Sequence, residues 1–267
     1  GYDRMMEAQS SQEHYQDYQA YLKELTEYRR ALQDWANGGK KGLRPEKPHL
    51  DKGPYHKSHP AGLYETMIQR VAPYGIRGIL FYQGEANASR APEYADLLTA
   101  LIGLWRKDWR DPSLPFYFVQ LSAWGKGMQW PELRAAQAEV ADTVPGTGMA
   151  VSLDLGDRQE IHYSNKLPVG DRLARLALNR TYGMNIVDRG PHPRAVDAHD
   201  GALEIVFSDV ARGLTVSDGG KVAGFEVVIQ DGKVLPVTGT IQGRDRVLLH
   251  FPEQAGEIRA IRYGWSA

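Results

Sequence analysis

The residues with the clearest chemical potential are an amide, a glycine and a carboxylate, Gln83-Gly84-Glu85, which follow directly on an apolar run. The run from Ile79 to Tyr82 has no polar alternation, which is typical of a strand covered on both faces and predicts a parallel sheet between helices. Ligands of open α/β sheets bind beyond the carboxyl ends of the strands, so the three residues are placed to face a reacting group. They also fit a polar strand-to-helix turn, with Glu85 as a first-turn helix acid.

A second segment supplies a candidate general base. Another apolar strand, residues 149–153, leads into an acidic loop that contains His162 and three carboxylates before it, Asp154, Asp157 and Glu160. A carboxylate beside a histidine can hold one tautomer of the ring and stabilise the imidazolium that forms when the ring takes a proton. A single loop histidine is more often merely solvated. The presence of both segments in one chain favours the catalytic interpretation.

Four stretches between about residues 63 and 182 together resemble one protein family. They read IRGILFYQGEANA, LPFYFVQLS, WPELRAAQ and DLGDRQEIHYSNKLPVGDRLA. On these stretches the sequence is similar to the sialate O-acetylesterase group of carbohydrate esterases, a branch of the SGNH hydrolases. The resemblance implies an α/β fold with an SGNH-type (flavodoxin-like) parallel sheet and flanking helices. It also implies serine-type hydrolysis of acetylated carbohydrates, which requires no cofactor and no metal.

The resemblance assigns roles to both segments. In that family the QGE segment lines the pocket that holds the acyl oxygen, and the histidine of an Ile-His-Pro motif is the general base. The corresponding residues here are Gln83, Gly84, Glu85 and Asn87 on one side and His162 on the other.

This chain departs from the family pattern around the histidine. Tyr163 stands where the family has proline, Glu160 where it has aspartate, and Gln159 where SGNH hydrolases place an aspartate three positions before the histidine. The acid that orients His162 is therefore Glu160 or, as second choice, Asp157. A serine–histidine dyad without an acid is the third possibility.

The family's nucleophilic serine belongs to a Gly-Gln-Ser-Asn motif that this sequence does not contain. The nearest string, Ala8-Gln9-Ser10-Ser11, follows no apolar strand, and Ser10 with Glu13 fits a capping box before a helix. Three buried strands are predicted, at about 76–83, 115–121 and 148–154, where the family has five. The first would form an apolar sheet edge, which soluble proteins avoid. We therefore expect an incomplete sheet, with the serine supplied by an N-terminal portion of the same enzyme outside these residues.

The pattern along the chain predicts three parts. Residues 1–62 read as a helix followed by an extended, proline-punctuated loop, in which His56 and His59 could border a cleft. Residues 63–187 hold the catalytic α/β part. From 188 to 267 the apolar period becomes two, with Asp231-Gly232 as a hairpin turn, which predicts a small all-β sandwich domain.

Two histidines near the start of the last part raise the question of a metal. His192 and His199 lie close in sequence to Asp197 and Asp200. Their spacing fits no compact ligand pattern on a helix or a strand, so an interdomain linker is favoured over a metal site.

Composition limits the function classes. The chain has 267 residues, 42% of them hydrophobic and 24% charged, which is ordinary for a globular protein. A net charge of −1 argues against a nucleic-acid partner. No apolar run is long enough for a membrane span, so no membrane partner is expected. Cysteine is absent, and the resemblance favours a secreted or periplasmic location. The alternative to an esterase is a non-catalytic carbohydrate-binding protein that has kept the hydrolase fold.

Overall fold

The computed structural model describes residues 2–48, 61–124, 129–157, 160–199, 202–217, 219–251 and 256–265. Its contacts divide the chain into two compact units, Gly1–Tyr74 and Gly75–Ala267. The boundaries expected from the sequence, at 62/63 and 187/188, stay predictions.

The first unit is mainly one long helix, α1 (Tyr2–Asn37). A π-helical turn at Tyr64–Ile68 and the short α2 (Gln69–Val71) lie near the C-terminal end of this unit. The helix predicted before residue 38 is confirmed, but it begins at Tyr2, so the prediction that Ser10 caps its start is wrong. Residues 38–48 contain no helix or strand. His56 and His59 lie outside the described residues.

The second unit contains the parallel sheet that the sequence predicted. Its strands are β1 (Ile79–Phe81), β2 (Phe116–Val119) and β3 (Thr147–Ala150), in the order β1-β2-β3. Leu80 lies opposite Tyr117, and Tyr117 lies opposite Gly148. All three predicted strands are confirmed, and β1 forms one edge of the sheet.

Helices cover the two faces of β2. The helices α3 (Tyr94–Asp108) and α4 (Trp130–Thr143) pack against Phe116 and Phe118, whereas α5 (Leu167–Leu176) packs against Tyr117 and Val119. The alternation follows from the two-residue period of a strand. All four residues of β2 are buried. This strand is therefore covered on both faces, as the sequence predicts.

The same prediction is wrong for β1. Ile79 and Phe81 pack against the α3–α4 side, but the side chain of Leu80 on the other face is 60% exposed. Helix α5 packs on β2 and β3 and leaves Leu80 uncovered by the residues that the structure describes. An unbroken apolar run therefore indicates a strand whose second face can be covered by another element. Among the described residues, no element covers that face of β1.

Local sequence explains where the helices begin and which side they bury. The buried residues Tyr94, Leu98 and Ile102 of α3 are four positions apart, which places them on one face. Both α4 and α5 have a proline in the first turn, where the fixed φ and the missing N–H suit a helix start. None of the helices described has both the length and the hydropathy to cross a membrane.

The C-terminal part is an antiparallel all-β domain, as predicted. Its strands are β4 (His192–His199), β5 (Ala202–Ser208), β6 (Val222–Ile229), β7 (Val234–Gln242), β8 (Arg246–His250) and β9 (Ile258–Tyr263). They form one curled sheet in the order β4-β5-β8-β7-β6-β9, which encloses a single apolar core. The predicted hairpin at Asp231-Gly232 joins β6 to β7, and Asp231 Oδ1 accepts a 2.8 Å hydrogen bond from the Lys233 N–H.

One strand of this domain differs from the expectation. The sequence predicts a linker at His192–His199, and this is wrong because the segment is strand β4 and pairs with β5. Its two histidines stand at opposite ends of an extended strand, roughly 23 Å apart, so they cannot share a metal ion. Among the residues that the structure describes, no cluster of three or more histidines and carboxylates could hold one.

Candidate functional site

The Gln83 side chain is fixed at the carboxyl end of β1 by hydrogen bonds at both ends of its amide. Nε2 donates to Asn87 Oδ1 at 2.7 Å, and Oε1 accepts from the Tyr94 hydroxyl at 3.2 Å. Since Asn87 Oδ1 is occupied, its Nδ2 is the donor left for a ligand oxygen; no described residue accepts from it. The structure therefore brings together two residues that the sequence predicted, Gln83 and Asn87.

Gly84, which lies just beyond β1, is buried against helix α4. A Cβ at this position would lie 3.0 Å from Leu133 Cδ2 and 3.3 Å from Gln137 Nε2, and its φ is +152°. Glu85 follows as the first residue of a 3₁₀ segment, Glu85–Glu93. It therefore does begin a helical turn.

A neutral tyrosine supports the amide pair. The single proton of the Tyr94 hydroxyl is shared between the Gln83 carbonyl, at 3.0 Å, and the Gln83 side-chain oxygen, at 3.2 Å. Burial, with a contribution from the charge of Glu85, raises the pKa of Tyr94 to about 12. The hydroxyl consequently stays protonated and remains a hydrogen-bond donor over the whole physiological pH range.

Gln137 of α4 ties the ends of two strands together. Its side chain is 1% exposed. Oε1 accepts from the Leu121 N–H at 2.8 Å, while Nε2 contacts the carbonyls of Val119 at 3.2 Å and Gln83 at 3.3 Å. Backbone groups beyond the ends of β1 and β2 are thus held by one buried amide, which fixes the Gln83 peptide relative to the sheet.

The loop after β3 presents His162 to solvent with Glu160 beside it. Glu160 Oε1 accepts from the His162 backbone N–H at 2.7 Å and lies 3.6 Å from Nδ1 of the ring. The side chains are 91% exposed for His162 and 59% for Glu160. Asp157 is bonded elsewhere, since its Oδ1 accepts from the Glu160 N–H at 3.4 Å. Of the two predicted acids, Glu160 is the one beside the imidazole.

The start of this loop is braced by an ion pair. Arg172 of α5 bonds both carboxylate oxygens of Asp154, at 2.6 and 2.7 Å, and also the Val151 carbonyl at 2.5 Å. The hydrogen bond from the guanidinium lowers the pKa of Asp154. Asp154 therefore has a structural task and is not available to orient His162.

The all-β domain contacts helix α4 and the loop after β3, which position residues of the candidate site. Arg134 of α4 is 5% exposed and donates from Nη2 to the carbonyls of Gly264 and Trp265, at 2.8 and 2.9 Å. Gly264 lies against Leu153, which follows β3, and a Cβ there would clash with it. The end of β9 is thus packed between the helix that carries Gln137 and the loop that leads to His162.

Sequence reasoning assigned no role to Tyr82, Tyr94 or Gln137. A signal existed for Gln137, because it interrupts an apolar stripe formed by Leu133 and Val140 at helical spacing. A polar residue on a core-facing stripe indicates buried hydrogen-bonding partners. Tyr94 gave no such signal, since an aromatic residue on a buried stripe reads as ordinary core.

Comparison with known proteins gives a consistent result. The family described as "Carbohydrate esterase, sialic acid-specific acetylesterase" matches residues 19–179. Over 76% of the chain, the sialate O-acetylesterases of Mus musculus and Homo sapiens are each 28% identical, and the match covers 42% and 43% of their lengths. The chain therefore spans less than half the length of these curated relatives. The crystal structure of a carbohydrate acetylesterase from Xanthomonas citri superimposes with a TM-score of 0.71 at 35% identity, over 76% of this chain and 48% of that one.

Fold and site place the chain among α/β proteins whose polar residues gather at the carboxyl edge of a parallel sheet. The matched family covers more than half of the sequence. The chain belongs to the sialic acid-specific acetylesterase family of carbohydrate esterases.

Proposed function

We propose that this chain forms part of a carbohydrate O-acetylesterase in which His162 is the general base. The observation that carries the proposal is the placement of an exposed imidazole, with Glu160 3.6 Å from its Nδ1, in a chain of this family. Three hydrogen-bonding partners hold Gln83 in place: Asn87 accepts from its side-chain amide, and Tyr94 and Gln137 donate to its carbonyl.

The proposed reaction proceeds through an acetyl-enzyme. A serine hydroxyl attacks the acetyl carbonyl carbon while His162 takes its proton, and the resulting oxyanion is held by the Asn87 amide and backbone N–H groups. The intermediate collapses, and the imidazolium returns the proton to the leaving sugar oxygen. Water then attacks the acetyl carbon of the acetyl-serine with His162 again as base, and the imidazolium returns this proton to the serine oxygen as acetate leaves. The scheme requires no metal and no organic cofactor.

The serine is proposed to come from an N-terminal portion of the same enzyme outside these residues. In the part of the chain that the structure describes, no serine hydroxyl is hydrogen-bonded to the His162 imidazole. Ser152 is fully buried and donates to the Gln120 carbonyl at 2.5 Å. The free edge of β1 and the exposed face around Leu80 give such a portion a place to pair and to pack.

Assembly with that portion is the first test. When both are co-expressed, the complex should hydrolyse p-nitrophenyl acetate and an acetylated sugar, and this chain alone should not. Leu80→Asp should lower the yield of complex several-fold, because it places a charge on the face to be covered. Leu97→Asp is the matched control, since Leu97 lies on α3 and is 49% exposed.

Two outcomes would contradict this proposal. Full activity of the isolated chain would show that the serine lies within these residues. A stable complex that binds acetylated sugars without hydrolysing them would favour the alternative, a non-catalytic carbohydrate-binding protein.

A second prediction concerns the acid beside the histidine. Glu160→Gln in the complete enzyme should lower kcat roughly tenfold, because it removes the charge next to Nδ1 that stabilises the imidazolium. Asp157→Asn should have a much smaller effect, since Asp157 contacts the Glu160 backbone and not the ring. Steady-state rates together with thermal unfolding would measure both. Loss of activity in Asp157→Asn alone would reverse the assignment, and two active variants would indicate a dyad.

A further inference from the structure

The residue after His162 differs sharply from it in environment. Tyr163 is 7% exposed and packs among the residues of β2, β3 and α5, whereas the His162 side chain is 91% exposed. Ile161, on the other side of His162, packs against the cluster formed with α3 and α4. Since these clusters lie on opposite faces of the sheet, the backbone at His162 is anchored on both sides, while its ring is exposed to solvent beside Glu160.

The Tyr163 hydroxyl reaches the other half of the site. It lies 3.3 Å from the hydroxyl of Tyr82, the residue that precedes Gln83. Lys166 adds a second restraint, because its Nζ donates to the Tyr163 carbonyl and lies 3.2 Å from the centre of the Tyr163 ring. The loop that carries the proposed base is therefore connected by side chains to the strand end that carries the amide pair.

The surroundings of the Tyr82 hydroxyl keep it protonated. Burial, followed by the hydrogen bond to Tyr163, raises the pKa of Tyr82 far above its usual value. The Tyr82 hydroxyl consequently stays protonated over the working range of an esterase.

We propose that Tyr163 is a positioning residue for His162, and that the Tyr82–Tyr163 hydroxyl pair sets the distance between the base and the Gln83–Asn87 amides. The inference rests on the proposed function, in which both halves act on the same acetyl group. It concerns a position where this chain departs from the family pattern, because the resemblance predicts proline at position 163, which has no hydroxyl to offer. A shift of about 1 Å in the placement of a reacting group can cost up to 100-fold in rate.

The test uses three single phenylalanine variants of the complete enzyme and one double variant. Tyr163→Phe and Tyr82→Phe each remove one member of the pair. Tyr117→Phe is the matched control, since it deletes another buried tyrosine hydroxyl in the same cluster, bonded to Thr181 Oγ1 at 2.8 Å. We expect kcat to fall roughly tenfold in Tyr163→Phe and Tyr82→Phe with KM nearly unchanged, no further loss in the double variant, and a wild-type kcat in the control.

Amide hydrogen exchange on the same preparations separates this inference from the proposed function. Exchange over residues 160–164 should accelerate in Tyr163→Phe and not in Tyr117→Phe. If the complete enzyme hydrolyses no acetyl ester, the proposed function fails and exchange alone decides whether Tyr163 holds the loop. Wild-type exchange in Tyr163→Phe, a wild-type kcat in an active enzyme, or an equal loss of kcat in Tyr117→Phe would each overturn the positioning role.

Discussion

Replacing His162 by alanine in the complete enzyme is expected to lower kcat for acetyl ester hydrolysis by roughly a hundredfold or more, the usual contribution of general acid–base catalysis. The imidazole is the group that takes the serine proton and returns it to the sugar oxygen in the proposed reaction. Stability should change little, because the side chain is 91% exposed and surface substitutions typically stay within about 0.5 kcal/mol. Steady-state kinetics with an acetylated sugar and a thermal unfolding curve measure the two effects together.

His250→Ala is the control for this experiment. His250 is also exposed, but it lies on β8 and bonds Thr240 at 3.2 Å, so its loss should leave kcat unchanged. Near-native deacetylation by the His162→Ala variant would remove the main support for the esterase proposal. Equal losses in both variants would point to damage unrelated to proton transfer.

Periodicity was enough to predict the elements that position the site. The apolar runs around Phe116–Val119 and Thr147–Ala150 became parallel strands, and the four-residue spacing from Tyr94 to Ile102 became the buried face of α3. These signals work because burial on one or two faces imposes a period on a single segment of chain. Each of them can be read without knowing what the segment packs against.

Features that depend on a partner segment were harder to predict. Leu80 belongs to an unbroken apolar run, yet it is exposed, because whether a face is covered depends on another element. The sequence predicts a linker where the structure has β4, since the apolar residues of this segment alternate poorly. The segment is a strand because it pairs with β5. Pairing is a property of two strands, and one of them alone shows only part of it.

The candidate site shows the same contrast between residues that can be predicted from local sequence and contacts that depend on other segments. The sequence could identify Gln83, Asn87, Glu160 and His162 as residue types suited to acyl transfer, but it left Glu160 and Asp157 as competing acids. The structure places Glu160 beside the ring because the loop turns back on itself at the His162 N–H. The groups that hold these residues, Gln137 and Tyr163, come from helix α4 and from a loop residue that reads as ordinary core. Their roles arise only from the tertiary fold.

Gln137 gives the largest stability effect that we expect from a single polar substitution. Gln137→Leu keeps nearly the same side-chain volume but leaves the buried Leu121 N–H without its 2.8 Å partner and removes a contact from the Val119 and Gln83 carbonyls. Leaving such groups unpaired should lower the free energy of unfolding by about 3 kcal/mol and the melting temperature by roughly 6–12 °C. The rate of ester hydrolysis should fall as well, since the Gln83 peptide loses one of its two side-chain donors.

Glu139→Leu is the matched control, because Glu139 lies two residues further along α4 and is exposed. This variant introduces the same side chain into the same helix and should change the free energy of unfolding by less than about 0.5 kcal/mol. Denaturant and thermal unfolding of the two proteins provide the comparison. If Gln137→Leu proved as stable as Glu139→Leu, the buried amide would not be the link between the ends of β1 and β2, and the fixed position of Gln83 would have to come from Tyr94 and Asn87 alone.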